Sequence, residues 1–288
     1  MGTGGGFCCR STSNMRLDLH THTTASDGVL SPSQLVELAK VVSLDALAIT
    51  DHDTVAGLSE ATSAGQDHSI QIIPGIEVSC AVSGIACHIL GYFIDYQSST
   101  LSAYTAKAIL AREDRMKEML VRLAKQNILV EMEDVVKEAG PERSSLGRPH
   151  LARALVSRNH ATSIGDAFDR LIGDQHSAHV AIRLLEASEA IELIHKAGGI
   201  AVWAHPRLEV LERLLPELVA SGLRGLEVYR PKSSPEHVRK VRASAAKMNL
   251  LVTGGSDWHG PGLGAELGQF YVTDDDISQF LDEGQISG

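Results

Sequence analysis

The chain lacks the features that would send it into a membrane or through one. Among its 288 residues no apolar run approaches the roughly 20 residues needed to span a bilayer. No basic segment followed by an apolar one opens it, so no secretory signal is visible, and the cytoplasm is the expected compartment. Gly6 stands where an N-myristoylation motif requires Ser or Thr. The four cysteines, Cys8, Cys9, Cys80 and Cys87, form no C-x-x-C pair. A disulfide framework is not expected in a chain of this size, and the thiols read as free. Positive charge is not in excess: 26 Lys and Arg face 36 Asp and Glu, for a net charge of −10. Such a surface repels long nucleic acid unless a local cluster of cations intervenes. No internal repeat appears. Low complexity is confined to residues 1–14, which are rich in Gly, Ser and Thr and read as a disordered leader. Met15 is the expected biological start, because the first strand begins just after it.

What the sequence does have is a β-α-β-α rhythm, with 43% hydrophobic and 22% charged residues, the balance of a globular enzyme. Strands are expected at Leu17–His20, Ala46–Thr50, Ile70–Ile73, Ala86–Ile94, Gly199–Ala204, Gly225–Tyr229 and Leu250–Thr253. Continuous apolar runs such as Ala46–Thr50 suit buried parallel strands. Ser31, Pro32 and Gln34 form a capping box with proline at the first helical position, and Leu35, Leu38, Ala39 and Val42 give that helix its apolar face. Helices near 208–221 and 235–248 separate the last strands, and Gly198 marks the end of another. From about Ser98 to Ala187 the pattern turns helical throughout, with a long amphipathic helix over Leu101–Lys125 and shorter ones near 131–139, 149–158 and 163–172. The expected fold is therefore α/β, a barrel from residues 15–97 and 188–288 with a helical insertion over 98–187.

The chemistry is concentrated in histidine. His20 and His22, at i and i+2, share one face of a strand and can grip one metal ion. His52 follows the second strand, Glu77 the third, His88 lies in the fourth, His205 ends the fifth, and Asp257 and His259 end the last. Asp27 lies in the loop after the first. The ends of parallel strands converge on one mouth, where barrel enzymes keep their sites. Six histidines and three carboxylates suit manganese, iron or zinc better than magnesium or calcium. Nine ligands are too many for one ion, whereas three ions sharing one bridging carboxylate would use them all. Three divalent ions against three carboxylates leave an excess of positive charge, which favours a phosphate ester over a neutral amide.

Four blocks, Asp18-Leu19-His20-Thr21-His22, Ile49-Thr50-Asp51-His52-Asp53, Ala204-His205-Pro206 and Gly255-Ser256-Asp257-Trp258-His259, resemble the PHP (polymerase and histidinol phosphatase) superfamily. The resemblance runs from Arg16 to the end of the last strand, with the helical stretch interposed. It implies a distorted barrel of seven strand–helix units, a (β/α)7 barrel. It also implies a partition of metals: His20, His22, Glu77 and Asp257 on one ion; Glu77, His88 and His205 on a second; Asp27, His52 and His259 on a third. With Ser26-Asp27-Gly28, Gly75-Ile76-Glu77 and Gly147-Arg148-Pro149-His150 added, the pattern is similar to stand-alone nucleotide phosphoesterases. Those include 3′,5′-nucleotide bisphosphate phosphatases and 5′-to-3′ exoribonucleases.

The expected activity is metal-dependent hydrolysis of phosphate from small nucleotides, extending to the 5′ ends of short RNA, with three ions that are manganese first and iron or zinc otherwise. Asp27, His52, Arg148 and His150 are the expected catalytic residues. Arg148, at a helix start, offers a phosphate-binding corner, and His150 a hydrogen bond or help to the leaving group. Tyr229, Arg230 and Trp258 are candidate substrate contacts, with packing as the alternative for Trp258. Asp51 and Asp53 flank His52 and read either as carboxylates orienting a ligand imidazole or as turn and cap residues. Arg112, Arg115 and Lys117 read as a solvated helix face, and His68, His160, His176, His179, His195 and His237 as surface or packing residues. No membrane and no obligate protein partner is inferred. Histidinol phosphate hydrolysis is the alternative activity, and a non-catalytic metal-binding domain the alternative class. An amidohydrolase would be expected to offer a lysine at a strand end, and none is there.

Overall fold

A computed structural model describes residues 14–141, 143–182 and 185–286. The expected leader, with Cys8 and Cys9, lies outside them, apart from Asn14, whose side-chain amide donates to Asp275. No described helix is long and apolar enough to cross a membrane.

The sheet is a nearly closed barrel. Its strands are β1 (Arg16–Thr21), β2 (Ala46–Ile49), β3 (Gln71–Val82), β4 (Ile85–Tyr92), β5 (Leu185–Glu186), β6 (Ile200–Trp203), β7 (Gly225–Tyr229), β8 (Leu251–Gly254) and β9 (Val272–Thr273), in the spatial order β8-β7-β6-β4-β3-β2-β1-β9 with β5 beside β3. All seven expected strands are present and neighbour one another in sequence order. Beyond β8 the chain returns to the first strand, where Thr21 bridges Trp258 and the His22 N–H donates to Trp258 O at 2.9 Å.

One direction differs from expectation. β4 is antiparallel to both β3 and β6. Ser83 and Gly84 join β3 to β4 with φ of 48° and 75°, the left-handed pair that a two-residue hairpin requires and that a glycine adopts at no steric cost. A connection so short cannot return a strand in parallel. Two short strands were also unforeseen: β9, antiparallel to β1, and β5, which falls within the stretch expected to be wholly helical.

Alternate strand residues divide between two cores, as the period of two dictates. Leu47 and Ile49 pack with α1 (Pro32–Val41), α2 (Leu58–His68), α7 (Ala187–Lys196) and α8 (Leu208–Ala220). Ala46 and Ala48 join Leu17, Leu19, Tyr92 and Phe280 of α10 (Asp274–Glu283), near the start of β1. The expected capping box on α1 is formed, with the Gln34 N–H donating to Ser31 Oγ and the Ser31 N–H to Gln34. Gly198, at φ 75°, turns the chain after α7. α9 (Pro235–Lys247) follows β7, as expected.

The helical stretch builds a third core of its own from α3 (Ser99–Ala124), α4 (Met132–Ala139), α5 (Arg148–Ser157), α6 (Ile164–Ala167) and a π-helical turn, Phe168–Ile172. It is tied to the barrel by a buried ion pair. Arg112 of α3 reaches Asp53, which follows β2, and also donates to Ser79 Oγ of β3 at 3.1 Å.

Candidate metal centre

The barrel mouth gathers the nine candidate ligands. β1 presents His20, and His22 follows directly after its end, both fully buried. Glu77 stands mid-way along β3, fully buried, rather than after it. Because β4 runs in reverse, His88 enters from early in that strand, opposite Ser79. His205 and Asp257 follow β6 and β8 with φ of 35° and 56°, left-handed conformations that a non-glycine residue adopts at some cost and that cluster at functional sites.

The two oxygens of Glu77 face different donors. Oε2 lies 3.2 Å from His20 Nε2 and 3.3 Å from His22 Nε2, and Asp257 Oδ1 lies 3.3 Å from each of those nitrogens. Oε1 lies 2.8 Å from His88 Nδ1 and 2.9 Å from His205 Nε2, and these two nitrogens are 3.2 Å apart. Two donors each about 2.1 Å from a common ion stand roughly 3.0–3.4 Å apart at octahedral or tetrahedral angles. The first set has that spacing, and the second, at 2.8–3.2 Å, is slightly tighter. A third set joins Asp27, His52 and His259 with His22, all within 4.8 Å of one another. His52 also brings Nδ1 to 3.0 Å from Glu77 Oε2.

Five of these atoms have no other occupation. His20 Nε2, His22 Nδ1 and Nε2, His52 Nδ1 and Glu77 Oε2 are buried without a hydrogen-bond partner. Buried polar atoms are costly when unpaired, and a shared cation is the group that would satisfy them together. Electrostatics fit the same role. Burial pushes the Glu77 carboxyl up, yet the surrounding imidazoles, His52 and His88 foremost, hold it well below the usual range. Burial drives His52 down to about 3, whereas nearby carboxylates outweigh burial and hold His20, His88 and His259 above the usual imidazole value, the surplus negative charge that a cation would offset.

Glu227, which the motifs did not single out, orients the cluster. Its Oε1 accepts from His20 Nδ1 at 2.8 Å and its Oε2 accepts the His205 N–H at 2.7 Å. An ionised carboxylate can only accept, so His20 carries a proton on Nδ1, and Nε2 is the nitrogen it turns into the mouth. The available signal was an acid in the middle of the apolar strand β7. Among the described residues neither Asp51 nor Asp53 is hydrogen-bonded to an imidazole. Asp51 accepts from the Thr23 N–H, Thr23 Oγ1 and Ser26 Oγ, fixing the loop that carries Asp27. Asp53 accepts from the Ser79 N–H at 2.7 Å, from Tyr104 and from Arg112.

A cavity of about 400 Å³ opens over the cluster, within the range of roughly 300–1,000 Å³ typical of small-molecule sites. His52, His88, His205 and His259 line its barrel wall, and Arg148 its insertion wall. The other candidate contacts stand elsewhere. His150 is buried in its own helix, where its Nδ1 accepts the Gly147 N–H at 3.0 Å. Trp258 is buried in the core. Tyr229 packs between two cores, and Arg230 pairs with Asp257 at 3.2 Å without lining the cavity. Arg112 and Arg115 correct the reading of a solvated face: Arg112 is buried against Asp53, and both line the cavity, as does His179.

The model of the PHP domain matches residues 18–199, more than half of the chain. The chain belongs to the PHP domain family. A 5′-3′ exoribonuclease of Haemophilus influenzae is 35% identical to this PHP chain, over 88% of it and 93% of that protein. A phosphoribosyl 1,2-cyclic phosphate 1,2-diphosphodiesterase of Eggerthella lenta is 32% identical, over 84% and 94%. A 3′,5′-nucleoside bisphosphate phosphatase of Chromobacterium violaceum is 31% identical, over 86% and 88%. A crystal structure from Bifidobacterium adolescentis, assigned as a metal-dependent phosphoesterase, superposes with a TM-score of 0.85 at 34% identity, covering 93% of this chain and 96% of that one. The PHP chain is a hydrolase of phosphate ester bonds.

Proposed function

We propose that this chain removes phosphate from small nucleotides, with three divalent ions held by His20, His22, Asp27, His52, Glu77, His88, His205, Asp257 and His259. The observation that carries the reading is Glu77, whose Oε2 faces the buried, unpartnered Nε2 atoms of His20 and His22 while its Oε1 faces His88 and His205. Manganese is the first choice and iron or zinc the alternative, because the donors mix imidazole with carboxylate. When bound, such ions acidify a water and offset charge on phosphoryl oxygens.

The chain's own residues supply position and charge. Glu227 fixes the tautomer of His20 and anchors the backbone of His205. Arg148, at the start of α5, reaches the cavity as a guanidinium able to hold phosphate oxygens. The insertion walls the mouth, and Phe168 and Ile182, with Trp203 of the barrel, line the cavity and would flank a base or sugar. Bisphosphate nucleotides lead the substrates, and the 5′ end of short RNA follows. Both are the kinds of molecule named in its relatives, and both belong in the cytoplasm.

A panel of adenosine 3′,5′-bisphosphate, nucleoside monophosphates, short 5′-phosphorylated RNA and histidinol phosphate, assayed with manganese, tests the reading. Phosphate or nucleotide release from the nucleotide substrates, faster than from histidinol phosphate, is expected. Release from histidinol phosphate alone, or from none of them, would overturn it.

A further inference from the structure

The hairpin that carries Glu77 and His88 also carries two thiols that phosphate hydrolysis leaves without a task. Cys80 of β3 and Cys87 of β4 stand directly opposite each other across the antiparallel pair. Both are free and buried, and their sulfurs lie 3.5 Å apart. Cys80 Sγ also lies 3.4 Å from Cys87 O, so its side chain is already turned toward the partner strand. Opposed residues of an antiparallel pair have Cα atoms about 4.5–5.5 Å apart, inside the roughly 4.4–6.8 Å that a disulfide spans. The two thiols are not equally sheltered. Cys80 is 2% exposed and does not line the cavity, whereas Cys87 is 9% exposed and does. A small neutral reagent entering the cavity therefore meets Cys87 first.

We propose that Cys80 and Cys87 form a modification site that hydrogen peroxide closes into a disulfide, and that closure displaces His88 from the ligand cluster. Cys87 Sγ attacks one peroxide oxygen, the O–O bond breaks, and a sulfenic acid and one water form. Cys80 Sγ, at 3.5 Å, stands at the reach of a near-attack pair. It attacks the sulfenic sulfur, the S–S bond forms, the S–O bond breaks, and a second water leaves with the Cys80 proton. The two thiols give up two electrons and two protons, and the peroxide is reduced to two waters. Closure draws the sulfurs from 3.5 Å to about 2.05 Å. β3 is braced against this pull. Cys80 and Ala81 pair with β5, and Ser79 is held by Asp53 and Arg112. The register of β4 with β6 begins only at Ile89, so the movement falls on Cys87 and on His88 beside it. His88 Nδ1 lies 2.8 Å from Glu77 Oε1 and 3.2 Å from His205 Nε2, and both spacings depend on that stretch of backbone.

The test treats the manganese-loaded full-length protein with hydrogen peroxide, quenches it in acid, alkylates it with iodoacetamide in denaturant and maps the tryptic peptides. Val41–Lys107 is one such peptide, and it holds Cys80 and Cys87 but neither Cys8 nor Cys9. It should pass from a doubly alkylated form to an unalkylated form two hydrogens lighter than the free dithiol. Bound manganese should fall with it, and phosphate release from adenosine 3′,5′-bisphosphate should drop about tenfold or more, as displacement of a group in the site requires. Dithiothreitol, with manganese resupplied, should restore all three readings. Cys80→Ala should keep its activity through the same treatment, which separates the disulfide from oxidation of the metal. A wild-type peptide that stays doubly alkylated, a disulfide that leaves manganese and activity unchanged, or a Cys80→Ala protein inactivated as fast as the wild type would overturn the proposal. The activity reading rests on the phosphoesterase function above. Untreated wild-type protein that releases no phosphate would sink that function instead, and the peptide and the bound manganese would then decide the thiol pair.

Discussion

Glu227 Oε1 accepts from His20 Nδ1 at 2.8 Å, while its second oxygen accepts the His205 N–H at 2.7 Å. One buried side chain thus sets two ligands that belong to different donor sets. Removing its charge while keeping its shape, in Glu227→Gln, should lower manganese affinity by about 10–100-fold, the usual effect of losing such a partner. Calorimetric titration with manganese reads this. Unchanged affinity would show that Glu227 only packs.

The glycine of Gly147-Arg148-Pro149-His150 has a steric role. A Cβ on Gly147 would lie 2.7 Å from Asp27 Oδ2, closer than real Cβ atoms come. Gly147→Ala should therefore push Asp27 off its position and lower kcat/KM by about tenfold or more, of the order of a misplaced catalytic group. A rate equal to that of the wild-type protein would mean that Asp27 moves without consequence.

The Arg112–Asp53 pair fastens the insertion to the barrel beneath the site. Arg112→Ala leaves a buried carboxylate without its cation and should cost about 3–5 kcal/mol in urea unfolding. Asp53 would retain its bonds from the Ser79 N–H and Tyr104. The double variant Asp53→Asn, Arg112→Met should cost less than Arg112→Ala alone, because no charge is then stranded. Equal losses would contradict the account of this pair.

His150 gives acid sensitivity. Burial lowers its pKa from 6.5 to about 4. The unfolded chain takes up this proton below about pH 6.5, the folded chain only below about 4, so folding is favoured fully above 6.5 and progressively less as pH falls between those values. The loss amounts to about 3 kcal/mol by pH 4. The difference in unfolding free energy between the wild-type protein and His150→Gln should shrink by that order from pH 7.5 to pH 4. A difference that stays constant with pH would show that His150 protonates freely in the fold.

Much of the site was legible because its ligands follow strand periodicity. His20 and His22 share a face by the period of two, and His52, His205 and Asp257 follow apolar runs that could only be buried strands. The direction of β4 was not legible from its apolar run, which looks the same in either sense. The Ser83-Gly84 turn carried that information, and two residues are too few for a crossover. Glu227 had no motif because its neighbours in β7 are ordinary strand residues. Arg115 was hidden by helix periodicity. A polar stripe on an isolated amphipathic helix faces water, but on α3 part of that stripe faces the cavity, which forms only when the insertion packs on the barrel. His150 looked chemical because of its motif, yet the Gly147 N–H claims its ring nitrogen.

The central claim is that the ligands of the barrel mouth hold the metal ions that make this chain a phosphoesterase. It is tested most directly by measuring bound manganese and phosphate release from adenosine 3′,5′-bisphosphate in the wild-type protein, His20→Ala and Asp257→Ala, with circular dichroism as the check on folding. The account predicts metal-dependent release by the wild-type protein, and loss of both bound manganese and activity in the two variants while the fold persists. Full activity in both variants, or wild-type release that survives complete removal of metal, would contradict it.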